Sequence, residues 1–325
     1  MALSWAPTKA GLDPEQLVKE TPQMAKDMDF ANAVIDAWNK DEASMKTNGI
    51  RSEQSSETTK FQYQDASDGT TLYGHLIRRT NANNNDKKVP GVLLFHTGAG
   101  PHDVSLLWKA DLLATNQEIF PHGCVILVTD ILSDDTGWAW GDDRTKYSQA
   151  RTKVLDGNKS SSGERFVLQS RIQAALKGLQ EASPEVDMTR LCALGWCLGG
   201  HSILELGRMK IPGMRAMVTF HGVFDGIPPP PPRTDSATPG QTADILICNG
   251  ELDPFVSQDT VLKNAIDTLN YHGHSVRLLQ LVGARHGFSN PAQDYNPNEA
   301  FAYNHEAAQT SWAECLKLLQ KTFAA

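Results

Sequence analysis

The sequence lacks the features that would place it in several common classes of protein. No apolar run among its 325 residues approaches the roughly 18 residues needed to span a membrane. The N-terminus has no basic segment followed by an apolar core, as a secretory signal would. Basic residues number 30 against 38 acidic ones and form no block, so a surface for nucleic acid or anionic membrane is not predicted. We expect a cytoplasmic protein that recognises a small molecule.

Cysteine is scarce, and its placement excludes two further classes. The five cysteines are scattered, with no CxxC pair and no metal-ligand spacing, so neither a disulfide framework nor a zinc site is predicted. His272 and His274 lie two residues apart, but no further ligand follows at helical spacing. We therefore predict neither a metal nor a cofactor.

Apolar runs alternate with amphipathic stretches through most of the chain. Eight runs have the composition of strands: Phe61–Gln64, Thr71–Ile77, Val92–His96, Cys124–Thr129, Leu191–Gly195, Ala216–Phe220, Ile245–Asn249 and Ser275–Leu281. Five stretches have helical spacing: Ser105–Leu113, Arg165–Gln180, Ile203–Met209, Val261–Tyr271 and Asn304–Lys321. Continuous Val, Ile and Leu strands separated by helices are typical of a mostly parallel sheet covered by helices on both faces. The predicted fold class is α/β, with an early antiparallel strand pair.

Residues 1–58 carry no strand pattern. Asp13 precedes Pro14, and Gln16 follows three positions after Asp13, which is typical of a helix start. A polar stretch rich in Ser and Thr then leads into the main domain. We predict a helical N-terminal extension with a linker over residues 1–58 and one α/β domain over residues 59–325.

One strand runs directly into a glycine-rich turn and then a helix. The turn reads Gly195-Trp-Cys197-Leu-Gly199, the G-x-C-x-G form of a nucleophile elbow with sulfur in place of a hydroxyl. Glycines flank Cys197 because the sharp turn leaves no room for Cβ atoms on either side. The following helix directs backbone N–H groups at the thiol, which favours the thiolate. Cys197 is the predicted nucleophile.

A cysteine nucleophile needs a base, and the sequence offers candidates in the right order. Asp253 follows one strand and His286 follows the last strand, although Glu251 competes with Asp253 for the same role. Nucleophile, acid and histidine is the triad order of α/β hydrolases. The backbone N–H groups of Leu198 and of Gly98, in the loop after Val92–His96, are the predicted oxyanion donors.

These segments resemble the dienelactone hydrolase family of α/β hydrolases. The resemblance rests on GWCLGG at the elbow, NGELDPFV around Asp253, GARHGFSNP around His286 and TFHG at Thr219–Gly222. It extends from about Phe61 to the C-terminus. It implies a Cys-His-Asp triad at Cys197, His286 and Asp253, without cofactor or metal. The expected activity is hydrolysis of small esters or lactones through an acyl-thioenzyme.

Two positions depart from the family pattern that the resemblance implies. Thr97 stands where members commonly carry a glutamate that pairs with the resting thiol, so direct coupling of Cys197 to His286 is expected. Asn290 stands where an arginine holds the carboxylate of dienelactone, so dienelactone itself is not the predicted substrate.

The remaining substrate contacts are predicted at two loops. They are Thr97, after the third strand, and Trp138, Trp140 and Arg144 in the loop after the fourth strand. The tryptophans could contact an apolar part of the substrate, and Arg144 could bind an anionic group of it. The alternative is that the tryptophans pack the loop onto the body and Arg144 pairs with Asp142 or Asp143.

Two other functions compete with the hydrolase. Glutamine amidotransferases also use G-x-C-x-G, but they need a His-x-Glu pair downstream, which this sequence lacks after Cys197. The second alternative is a non-catalytic binding or scaffold protein that retains the hydrolase fold. Selective alkylation of Cys197 near neutral pH distinguishes an enzyme from such a scaffold.

Overall fold

The computed structural model describes residues 56–80, 88–133, 144–232, 241–290, 293, 296 and 298–324. Strands in these ranges are β1 Ser56–Gln64, β2 Thr71–Arg79, β3 Val89–Phe95, β4 Val125–Thr129, β5 Val186–Trp196, β6 Met214–Phe220, β7 Asp244–Gly250 and β8 Ser275–Leu281. Helices are α1 Val104–Ala114, α2 Thr145–Asp156, α3 Phe166–Ala182, α4 Gly199–Met209, α5 Lys263–Tyr271 and α6 His305–Phe323. A π-helical turn, Gln258–Leu262, leads into α5.

The strands form a single sheet in the order β1-β2-β4-β3-β5-β6-β7-β8. The β1–β2 and β2–β4 pairs are antiparallel, and every other pair is parallel. This confirms the predicted α/β-hydrolase fold with an early antiparallel pair. Because parallel strands end at the same edge of a sheet, the loops after β3, β5, β7 and β8 lie together there.

Side chains of the central strands supply a core on each face of the sheet. All seven residues of β3 are buried, which explains its unbroken apolar run. Leu94 packs into a cluster that includes residues of α1 and α6. Its neighbour Leu93 packs into a second cluster that includes residues of α3, α4 and α5. The alternation follows from the two-residue period of a strand and fixes helices on both faces.

The eight predicted strands and five predicted helices are all present, with ends that differ by several residues in places. β1 starts at Ser56 and pairs with β2 as far as Arg79, so the last residues of the predicted linker are strand. The rest of the predicted N-terminal extension lies outside the described residues. The helix α2 was not predicted, although Tyr147, Ala150 and Val154 have helical spacing.

No helix in the described part of the chain is both long enough and apolar enough to cross a membrane.

Candidate active site

Cys197 lies in the tight turn between β5 and α4, and its backbone adopts the left-handed conformation with φ of 50°. Such a φ is unfavourable for a residue with a Cβ and persists only where the surroundings enforce it. Hydrogen bonds enforce it here: the Cys197 N–H donates to the Phe220 carbonyl at 3.2 Å, and the Cys197 carbonyl accepts from Val223 N at 2.8 Å. The turn is thereby tied to the end of β6.

The glycines that flank Cys197 are required by close backbone contacts. A Cβ on Gly195 would lie 2.4 Å from the Gly199 carbonyl oxygen. A Cβ on Gly199 would lie 2.5 Å from the Phe95 carbonyl oxygen at the end of β3. Both distances are far below van der Waals contact, so only glycine allows α4 to start this close to the sheet.

Asp253 and His286 meet on the loops that follow β7 and β8. His286 Nδ1 lies 2.7 Å from Asp253 Oδ2, and both side chains are buried. Because Asp253 accepts the proton of Nδ1, Nε2 is the nitrogen left for Cys197. Glu251, the competing acid, is exposed and instead accepts a hydrogen bond from Gly283 N at 2.9 Å. The geometry therefore brings Asp253, and not Glu251, to the histidine.

Cys197 and His286 form a coupled acid–base pair. Burial disfavours the thiolate, but the charge of His286 and its hydrogen bond to the sulfur lower the pKa of Cys197 below its ordinary value. Burial likewise opposes the imidazolium, but the Cys197 thiolate and the Asp253 carboxylate raise the pKa of His286 to about 10. Both shifts favour a thiolate–imidazolium ion pair over two neutral side chains.

Two backbone amides also hydrogen-bond to the sulfur. They belong to Gly98, in the loop after β3, and to Leu198, directly after Cys197. These are the two residues that the sequence predicts as oxyanion donors. Both contacts favour the thiolate.

Aromatic side chains and His221 surround the imidazole of His286. The rings of His221 and Phe255 each lie with their centroids 4.9 Å from that of His286, in edge-on geometry, and Phe301 lies at 5.2 Å. His221 is buried, and its Nε2 lies 3.0 Å from Ser289 Oγ. Burial and the nearby His286 hold the pKa of His221 well below its usual range, so it is neutral and adds no charge.

Cys197 and His286 open into a cavity of about 340 Å³. Its lining includes the polar side chains of Thr97, Asp103, Arg144, Gln293, Asn296 and Asn298. A second cavity of about 350 Å³ shares Tyr147, Cys197, His286 and Phe301 with the first. Its other lining residues are Leu198, Val223, Phe255 and the ion pair of Arg151 with Asp225. Cys197 and His286 therefore lie between the two cavities. The first, with more polar side chains in its lining, is called the polar cavity below, and the second is more apolar.

The predicted substrate residues fall in different places. Arg144 lines the polar cavity, with its guanidinium carbon 3.9 Å from the centre of the Tyr147 ring. Thr97 also lines this cavity. Trp138 and Trp140 lie outside the described residues. Asn290 is buried and lines a small cavity of about 20 Å³, which shares Thr97, Asp103, His221 and Gln293 with the first cavity.

Several residues of the site were given no role from the sequence, among them Phe301, His221 and Tyr147. Phe301 and His221 pack on His286, and Tyr147 lines both cavities. Burial raises the pKa of Tyr147 to about 12, so its phenol keeps its proton. A signal for Tyr147 was the helical spacing of α2, and His221 lies in the TFHG segment. No sequence signal marked Phe301, because it reaches the site through a backbone bridge to His286.

The site has the composition of a hydrolase. In the described ranges, no group of three or more His, Cys, Asp or Glu side chains is arranged to hold a metal ion. A nucleophile elbow, a histidine and an acid on the loops after β5, β8 and β7 define the class of α/β hydrolases.

The chain belongs to the dienelactone hydrolase family, whose model matches residues 77–323. It is a hydrolase that acts on ester or lactone bonds. The match covers the sheet from the end of β2 to the end of α6, and with it every residue of the candidate triad.

Individual proteins and solved structures are also similar to this chain. An uncharacterized protein of Caenorhabditis elegans is 29% identical over 168 residues, which is 48% of this chain and 95% of that protein. The solved structure named m3DLH has 25% identity and a TM-score of 0.66, and the match covers 82% of this chain and 99% of that one. A dienelactone hydrolase-like promiscuous phosphotriesterase from metagenomic libraries has 27% identity and a TM-score of 0.65, with the same coverage.

The ion pair predicts how Cys197 reacts with an alkylating agent. We expect iodoacetamide to label Cys197 with a titration midpoint below the value of about 8.5 of a free thiol, because the reaction needs the thiolate and the pKa is lowered. The other four cysteines are buried and should stay unlabelled in the native protein. Intact mass against pH measures this, with Cys197→Ala as the unlabelled control. Labelling of several cysteines at once, or a midpoint at the free-thiol value, would contradict it.

Proposed function

We propose that the chain hydrolyses small carboxylic esters or lactones with Cys197 as the nucleophile and an acyl-thioenzyme as the intermediate. The observation that carries the proposal is the hydrogen-bonded line from Asp253 through His286 to the Cys197 sulfur, at the wall of a cavity of about 340 Å³. A neutral, solvated thiol would need activation before attack, whereas this one is paired with an imidazolium.

Acylation uses the ion pair directly. The Cys197 thiolate attacks the ester carbonyl, and the carbon–sulfur bond forms while the carbonyl π electrons move to oxygen. The amides of Gly98 and Leu198 donate to this oxyanion. When the tetrahedral intermediate collapses, the carbon–oxygen bond to the alcohol breaks and His286 Nε2 gives its proton to the leaving alkoxide. Asp253 holds the imidazole in the tautomer that this transfer needs.

Deacylation restores the resting state. Once the sulfur is acylated, its negative charge is gone, and the pKa of His286 falls because that charge was its largest stabilising interaction. Neutral His286 then takes a proton from water as the water attacks the thioester carbonyl. Collapse expels the Cys197 thiolate and releases the carboxylic acid, while the proton remains on His286.

The two cavities indicate how an ester is bound. Arg144 and the amides Gln293, Asn296 and Asn298 offer donors to an anionic or polar group on one side of the reacting carbonyl. Leu198, Val223 and Phe255 offer apolar contact on the other side. This favours an ester in which one part is polar or anionic and the other is a small apolar or aryl group.

The nucleophile is tested with a chromogenic ester. We expect the wild type to turn over p-nitrophenyl acetate and to show an acetyl adduct on Cys197 in intact mass spectra, because thioester formation precedes hydrolysis. Cys197→Ala should lose both the turnover and the adduct. Equal turnover by both proteins would refute the assignment of Cys197. Absence of turnover and adduct with a panel of short-chain esters would favour a retained scaffold.

Two carboxylate-to-amide substitutions, Asp253→Asn and Glu251→Gln, test which residue is the acid of the triad. We expect Asp253→Asn to lower kcat by about 10³–10⁴, because an asparagine oxygen or amide no longer fixes the His286 tautomer and charge. Glu251→Gln removes an exposed carboxylate two residues away that accepts a hydrogen bond from the Gly283 N–H, and it should stay within about threefold of the wild type. Steady-state kinetics on one ester measures both. The reverse ranking would show that Glu251 is the acid.

The polar cavity is tested with two esters of similar size. We expect Arg144→Gln to raise KM for p-nitrophenyl hemisuccinate about 10-fold, because a charge-assisted contact is lost. KM for p-nitrophenyl valerate, which lacks the free carboxylate, should change by less than about twofold. Equal effects on the two esters would show that Arg144 shapes the cavity without receiving an anion.

A further inference from the structure

Side-chain hydrogen bonds hold the turn that carries the Gly98 amide. The hydrogen bond from Thr97 to Asp103 is called the brace below. Thr97 Oγ1 donates to Asp103 Oδ2 at 3.0 Å and accepts from the Ala99 N–H at 3.1 Å. Asp103 Oδ1 accepts from the Ser105 N–H at 3.0 Å, which caps the N-terminus of α1. Gly98 therefore lies between Thr97 and Ala99. The Thr97 hydroxyl links both residues to Asp103 at the start of α1.

The backbone of this turn is held less firmly by itself. Its own closing bonds are Gly100 N to Thr97 O at 3.2 Å and Asp103 N to Gly100 O at 3.3 Å, at the long end of the range for such bonds. On its outer side, a Cβ on Gly98 would lie 3.0 Å from the Tyr147 hydroxyl oxygen, so that side is filled. Side chains support the turn at two further points: His96 Nδ1 lies 2.6 Å from the Thr97 carbonyl oxygen, and the Thr97 hydroxyl donates to Asp103.

Burial strengthens this support. Asp103 is only 3% exposed, and its low-dielectric surroundings make each hydrogen bond to its carboxylate stronger than it would be in water. Lys109 and His221 line the same small cavity as Asp103, and His96 interacts with it electrostatically. Burial also raises the pKa of Asp103. Each carboxylate oxygen of Asp103 accepts a hydrogen bond, Oδ2 from the Thr97 hydroxyl and Oδ1 from the Ser105 N–H.

We propose that Thr97 and Asp103 are positioning residues that hold the Gly98 amide at the reacting sulfur, a role that rests on the proposed function of Cys197. The only proton of the Thr97 hydroxyl is donated to Asp103, so Thr97 supplies no proton to the thiol or to substrate. Its contribution to catalysis is the placement of a donor, and a displacement well below 1 Å at an oxyanion donor is costly.

The brace is tested at Thr97 with two variants that differ in the hydroxyl. Thr97→Val keeps the shape and removes the hydroxyl, and we expect kcat for p-nitrophenyl acetate to fall about 10-fold or more while KM changes less than about twofold. Because the Gly98 amide also stabilises the thiolate, the alkylation midpoint of Cys197 should rise toward that of a free thiol. Thr97→Ser restores the hydroxyl and should recover both quantities.

A third variant separates the brace from the helix cap. Asp103→Ser retains a good N-cap oxygen for the Ser105 N–H but is too short to reach Thr97 at the same time. We expect it to match Thr97→Val in kcat and in the alkylation midpoint, with a melting temperature near that of Thr97→Val. Thr152→Val, on the exposed side of α2, is the matched control and should behave as the wild type.

The outcomes separate this proposal from the proposed function. Wild-type kcat and alkylation midpoint in Thr97→Val would overturn the brace. A raised KM with an unchanged midpoint would also overturn it, and would make Thr97 a substrate contact. Turnover that survives in Cys197→Ala would instead refute the proposed function, and the alkylation midpoint of Thr97→Val would still decide whether Thr97 holds the amide at the sulfur.

Discussion

The pair of half-buried Cys197 and buried His286 is the interaction on which the rest of the site depends. Each group would be neutral if buried alone, because burial raises the pKa of the thiol and lowers that of the imidazole. Together, and with Asp253 behind the histidine, each lowers the cost of the other's charge. Every other feature of the site keeps these two side chains in contact or surrounds the pair with donors and apolar rings.

The sheet supplies the geometry for this contact. Cys197, Asp253 and His286 follow β5, β7 and β8, which end at one edge of the sheet because all three are parallel. The elbow then depends on two backbone distances at glycine that leave no room for a Cβ. Gly98 arrives from β3, whose last residue packs against the start of α4. The backbone of the fold thus brings the loops after β3, β5, β7 and β8 together at one edge of the sheet.

Features that depend on local chemistry could be predicted from the sequence. The strands were recognisable because buried parallel strands are continuous apolar runs, and the elbow because its glycines have a steric cause. The residues alone left Glu251 open as a competitor of the predicted Asp253. The choice between them depends on how the turn after β7 directs each carboxylate: Glu251 toward the Gly283 amide and Asp253 toward His286. The bond between Thr97 and Asp103 was equally hidden, because it depends on the loop's tertiary path. The triad and oxyanion assignments stay predictions until chemistry tests them.

The protonation state of His286 tests the central claim most directly. Imidazole ¹⁵N shifts of His286 in the full chain at pH 7.5 should report the charged form, since its pKa is raised to about 10. In Cys197→Ala, with the thiolate absent, the same ring should be neutral at that pH. A neutral His286 in the wild type at pH 7.5 would contradict the resting ion pair, and with it the proposed activation of the thiol.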